Sequence, residues 1–184
     1  MSIKTRAAAI TCGLALAATT LAPVGALAKD YVNTNTGSTE VVITAAKDAD
    51  GNDQLAFEVP TQIAFAAKAD GTLVGPSAES TKIVNKSVFG IHVTNMAVTA
   101  ADGWTLAEDA ATSNADNSVS FTLNGVAAAA SAYLDAAWNM GYAGSDSDSI
   151  AIASEGKVSH VTKDLSSAQK AATVTWTLAA GSAK

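Results

Sequence analysis

Along two stretches of this chain, apolar and polar residues alternate with a period of two. Phe89, Ile91 and Val93 alternate with His92 and Thr94, and Val119, Phe121 and Leu123 with Ser120 and Thr122. In an extended strand successive side chains point to opposite faces, so each run offers one face to a core. Shorter β-branched or alternating runs occur at 39–44, 55–59, 62–65, 81–84, 150–153, 157–162 and 172–178, and the two clear runs span 88–98 and 118–123. Asp50-Gly51, Asp70-Gly71 and Asp102-Gly103 supply residues that accept the positive φ of tight turns. Pro60 and Pro76 cannot donate to a central ladder. Helical periodicity is scarce. The pattern predicts an all-β domain, a single antiparallel β-sandwich. The alanine-rich stretch 126–137 reads equally as one short helix or as a strand leading into Trp138.

The N-terminus reads differently. Lys4 and Arg6 precede an apolar run from Ala7 to Leu21, then Pro23, Gly25 and the small-residue end Ala26-Leu27-Ala28. This is the form of a secretory signal peptide over residues 1–28, cut after Ala28, with the domain at 29–184. The run is shorter than the roughly 20 residues that span a bilayer, so no membrane association is expected after cleavage. Cys12 leaves with the signal. Removing 28 of 184 residues leaves 156 without a thiol, which excludes a disulfide framework, cysteine-ligated zinc and a cysteine nucleophile. Removing Lys4 and Arg6 from 11 basic residues leaves 9 against 17 acidic ones, a net charge of −8. Such a surface repels nucleic acid.

The most informative motif is a repeated tripeptide. Trp104-Thr105-Leu106 follows Asp102-Gly103, and Trp176-Thr177-Leu178 closes the last apolar run. On a strand, positions i and i+2 share a face, so each copy sets an indole beside an isobutyl group, with threonine opposite. Core packing accounts for this, and an exposed indole would also stack on a sugar ring. With two Trp-x-Leu motifs, the second near the C-terminus, and an early apolar run Gln62-Ile-Ala-Phe65, the chain resembles the WxL domain of Gram-positive cell-surface proteins. The resemblance implies an extracellular domain held noncovalently to the cell wall through peptidoglycan, with Trp104, Leu106, Trp176 and Leu178 as its motif residues.

Other constellations carry less. Asp48-Ala-Asp50-Gly-Asn52-Asp53 has the oxygen ligands of a calcium loop but the wrong register, since the sixth and twelfth places from Asp48 hold Asp53 and Val59; a hairpin turn is the better reading. Asp146-Ser-Asp148 reads as a solvated loop. His92 and His160 lie in strand patterns, and neither a Gly-x-Ser-x-Gly elbow nor a phosphate-cradling glycine loop is present. No catalysis, metal or cofactor is expected. There is no Leu-Pro-x-Thr-Gly sorting signal, so retention at the surface would be noncovalent, to wall polymer or to other surface proteins. A second function class follows from the stretch 31–45, polar at first and then β-prone. A self-associating fibre or pilus-like subunit would add this stretch to a neighbour's sheet edge, unless it pairs within its own domain.

Overall fold

The computed structural model describes residues 43–130, 132–134 and 136–183. The expected signal peptide, its cleavage site, Cys12 and most of the run 39–44 lie outside the described residues. The chain divides into two units, Met1–Asn52 and Asp53–Lys184, and the strands described below belong to the second. In chain order they are β1 (Phe57–Glu58), β2 (Ala66–Ala67), β3 (Thr72–Val74), β4 (Lys82–Asn85), β5 (Ile91–Ala100), β6 (Thr105–Leu106), β7 (Ser118–Leu123), β8 (Val126–Ala127), β9 (Ala132–Tyr133), β10 (Asn139–Met140), β11 (Ser149–Ala151), β12 (Ser154–Ser159) and β13 (Ala172–Ala180). The only helical turns among the described residues are short 3₁₀ segments at Ala78–Ser80 and Ala136–Trp138.

The domain is all-β, built from three sheets. One runs β1-β4-β11; a second runs β10-β5-β13 with β9 beside β10 on β5; the third runs β2-β3-β12-β7-β6 with β8 also on β7. Pairing is antiparallel except between β6 and β7, which run parallel. One hydrophobic cluster joins all three sheets: Ile83 and Ile152 come from around the first, Ile91, Val93 and Met96 from the second, Leu73, Val119, Phe121 and Leu123 from the third. The alternation read from the sequence is therefore the alternation of burial, with Val119, Phe121 and Leu123 buried and Ser120 and Thr122 half-exposed. Phe65 reaches this layer too, its ring centroid 5.9 Å from that of Phe121.

Element boundaries moved where loops are held by side chains. The run 88–98 becomes a strand only at Ile91, because Asn85 draws residues 87–89 into a loop: its amide donates to the carbonyls of Phe89 (2.8 Å) and Gly141 (2.7 Å), and its oxygen accepts the Ser87 N–H (2.7 Å). The run 157–162 is strand from Ser154 and stops at Ser159, where His160 takes a positive φ of 50°. Residues 62–65 form no strand; Ile63 and Phe65 pack on the core, and the ladder starts at Ala66. The alanine-rich stretch forms no α-helix among its described residues. Asn124 (φ 48°) and Gly125 (φ 77°) reverse the chain in a two-residue turn, so that β8 folds back on β7.

All three Asp-Gly dipeptides turn the chain, with Gly51, Gly71 and Gly103 at φ between 71° and 84°. Gly71 is doubly constrained, since a Cβ there would also run into the Val158 carbonyl. Gly71→Ala is expected to cost about 1–3 kcal/mol, the range for a side chain forced into a disfavoured φ, and a urea unfolding midpoint measures it.

Candidate functional site

The two Trp-Thr-Leu copies enter the core by different routes. Trp104 follows the Asp102-Gly103 turn, closed by its own N–H donating to the Ala101 carbonyl at 3.0 Å, and is 9% exposed. The next residues form β6, placed on β7 by the Thr105 N–H bonding the Asn117 carbonyl (3.1 Å) and the Ala107 N–H bonding the Val119 carbonyl (3.0 Å). Leu106 is half-buried against the core and Thr105 is exposed, the disposition that i, i+2 spacing predicts.

In the second copy, Val174, Trp176 and Leu178 are half-buried on one face of β13, while Thr173, Thr175 and Thr177 are exposed on the other. Trp176 stands opposite Met96 and Leu178 opposite Val93; the register slips by one residue between Thr177 and Leu178, which leaves Thr94 as the extra residue of β5, its hydroxyl donating to the Thr177 carbonyl at 3.1 Å. The Trp176 ring lies 5.8 Å from that of Trp138, tilted by 39°. Trp138 is itself 4% exposed. All four motif residues thus contribute to a single core cluster, two of them on the β6–β7 sheet and two on the β5–β13 sheet.

Several residues that position these motifs are asparagines, which the sequence pattern did not single out. Asn117, buried and at φ 50°, accepts through its side-chain oxygen from the Thr162 N–H (2.8 Å), the Thr162 hydroxyl (3.2 Å) and the Lys163 N–H (3.3 Å). Its backbone holds β6 on one side and the His160 carbonyl on the other, so it ties the first motif to the loop after β12. Asn124 brackets residues 151–153 and Asn139 brackets Ala183 in the same two-handed way. Trp138 was masked in the sequence by the ambiguous alanine-rich stretch beside it. As the third tryptophan of a chain that is only 5% aromatic, it carried a signal of its own.

A shallow groove of about 320 Å³ opens beside β7, where Glu108, Ser120, Thr122, Glu155 and Lys157 are among its lining residues. None of the four motif residues lines it. Of the histidines, His92 on β5 places Nδ1 3.1 Å from the Gly181 carbonyl, and exposed His160 contacts the Ser159 hydroxyl. Asp48 uses its carboxylate within its turn, accepting from the N–H groups of Asp50 (3.0 Å) and Asn52 (2.8 Å) and from the Asn52 amide (3.2 Å). Asp148 similarly accepts the Gly144 N–H at 3.0 Å.

Two of the turn carboxylates, Asp48 and Asp70, titrate low. Asp48 is held below its ordinary value chiefly by the Asn52 N–H, and Asp70 by the Thr72 N–H, which it accepts at 2.9 Å. A carboxylate whose pKa falls on folding stabilises the folded state above its unfolded value of about 4 and loses that contribution as pH drops through the folded value. The thermal midpoint is therefore expected to fall between pH 5 and about pH 2, and Asp70→Asn, which keeps an acceptor for Thr72 without a titrating group, to flatten the decline.

No protein-family model matches this chain, and no curated protein or solved structure matches it either.

Proposed function

We propose that this chain is an exported, non-catalytic domain that associates noncovalently with cell-wall peptidoglycan. The observation that supports this reading is the pairing of the two Trp-Thr-Leu copies. They stand 72 positions apart in sequence, yet each directs its tryptophan and leucine into the same core from a different sheet. A tripeptide used twice for one structural purpose is what the resemblance to WxL domains leads one to expect. The burial of Trp104 favours a scaffold part for it, with the wall met by the surface that β6 and β7 present.

Cosedimentation of residues 29–184 with purified Gram-positive sacculi tests the reading. Salt-resistant retention of monomeric protein supports it, and protein that stays in the supernatant at all salt concentrations removes it. If a folded variant lacking both motif tryptophans still sediments, the motifs are scaffold alone.

A second reading, a self-associating surface subunit, is favoured by the nine-residue β13. Among the described residues it lies at the edge of its sheet and pairs only with β5. An exposed edge of that length is a template for another strand.

A further inference from the structure

Among the described residues, the outer edge of β13 is open. Ala172–Ala180 contains neither a charged residue nor a proline, the devices that ordinarily keep sheet edges from pairing. Its C-terminal end is already fixed, with the Ala180 N–H donating to the Asp53 carboxylate at 2.7 Å and the Gly181 N–H to the Gly90 carbonyl at 2.8 Å. The threonines at 173, 175 and 177 are exposed, so another strand can approach without displacing a buried side chain.

The chain carries a segment suited to that edge. Residues 39–44 read Thr-Glu-Val-Val-Ile-Thr, β-branched at five of six positions. When extended, Val41 and Ile43 fall on one face and Glu40, Val42 and Thr44 on the other. Ile43 is 92% exposed and Thr44 is exposed beside it, so their own copy leaves a large apolar side chain in water. Fourteen residues separate the expected cleavage site from Ile43, more chain than the nine residues of β13 require.

We propose that the free edge of β13 takes the segment 39–44 of a second copy as an additional strand. Val41 and Ile43 then extend the apolar row of Val174, Trp176 and Leu178, and Val42 and Thr44 lie beside the exposed threonines. Edge and segment are different surfaces, so the contact is head-to-tail and repeats into a linear assembly. This rests on the reading of the chain as a surface subunit and specifies where its copies join.

The test uses the mature chain, which has no cysteine of its own. Val42→Cys and Thr175→Cys proteins, mixed and mildly oxidised, are expected to give a disulfide-linked pair containing one of each, at several-fold higher yield than either alone. Thr175→Lys, at an exposed position, is expected to abolish filaments in electron micrographs while leaving the thermal midpoint unchanged. A V42C/T175C chain that closes its disulfide within one copy at high dilution, with no mixed pair from the single variants, assigns the segment to its own domain and overturns the proposal. Filaments that persist in Thr175→Lys also overturn it, but leave the subunit reading standing. Wild-type protein that forms no filaments, with no mixed disulfide pair from the cysteine variants, removes both.

Discussion

Trp104→Ala is expected to bring the domain close to unfolding, and with that to abolish the wall association proposed above. Removing a buried tryptophan costs about 3–5 kcal/mol through lost transfer energy and the cavity left behind, against a total stability of about 5–15 kcal/mol for an ordinary domain. Trp104 is 9% exposed and is the first residue after the turn that launches β6, so its loss also loosens the only parallel pairing among the described strands. Trp176→Ala is expected to cost less, since its side chain is half-buried, although it forfeits the contact with Trp138. The comparison separates scaffold from contact. Circular dichroism would show the Trp104 variant melting early and the Trp176 variant still folded at room temperature; sacculus binding that survives in the latter means that the indole of Trp176 does not meet the wall.

The second large effect belongs to Asn85. Its side chain is fully buried, and its amide and oxygen make three bonds, to the Phe89 carbonyl, the Gly141 carbonyl and the Ser87 N–H. Those bonds join the loop after β4 to the segment after β10. Ser87 extends the junction, exchanging hydrogen bonds with both backbone groups of Ala56 and accepting the Ala143 N–H at 2.9 Å. Asn85→Ala leaves two carbonyls and one N–H without their partner. At about 1–3 kcal/mol for each buried group so orphaned, partly relieved by entering water, the net loss is expected to be about 3–5 kcal/mol. Urea denaturation measures it. Asn85→Asp distinguishes the donors from the acceptor, because a carboxylate can still accept from Ser87 but cannot donate to either carbonyl, and it is expected to be no more stable than the alanine variant.

The difference between Trp104 and Asn85 shows what could be read from the sequence. Apolar alternation located β7 to the residue and placed the body of β5 and β13, because period-two burial is written in the side chains themselves. The Asp-Gly turns were legible for the same reason: positive φ leaves a mark on composition. Asn124-Gly125 carried an equally clear turn signal, and it resolves the stretch that follows into β8 rather than a helix. The asparagine clamps were hidden because their partners are backbone groups far away in the chain, 56 residues in the case of Asn85 and Gly141. Nothing local distinguishes such an asparagine from one in a solvated loop. The short strands β3, β9 and β10 were similarly invisible, since two or three residues pair where a longer neighbour offers an edge. The motif residues were visible as a repeat, but which of them would be sealed from solvent depended on a tertiary partner, Trp138, and on the turn before Trp104.

The pairing of β5 with β13 also determines when the domain can form. Ile91 meets Ala180, so the second sheet joins residues 89 positions apart and includes the last of the described strands. Contacts so distant in sequence require loop closure before they repay it, and topologies of this kind fold in milliseconds to seconds rather than microseconds. A nascent chain lacks β13, one of the four strands of that sheet, until synthesis has passed residue 180. On the export route proposed above, this delay is an advantage: the leading segments stay unlocked during transit through a translocation channel, and the fold closes only once β13 has followed.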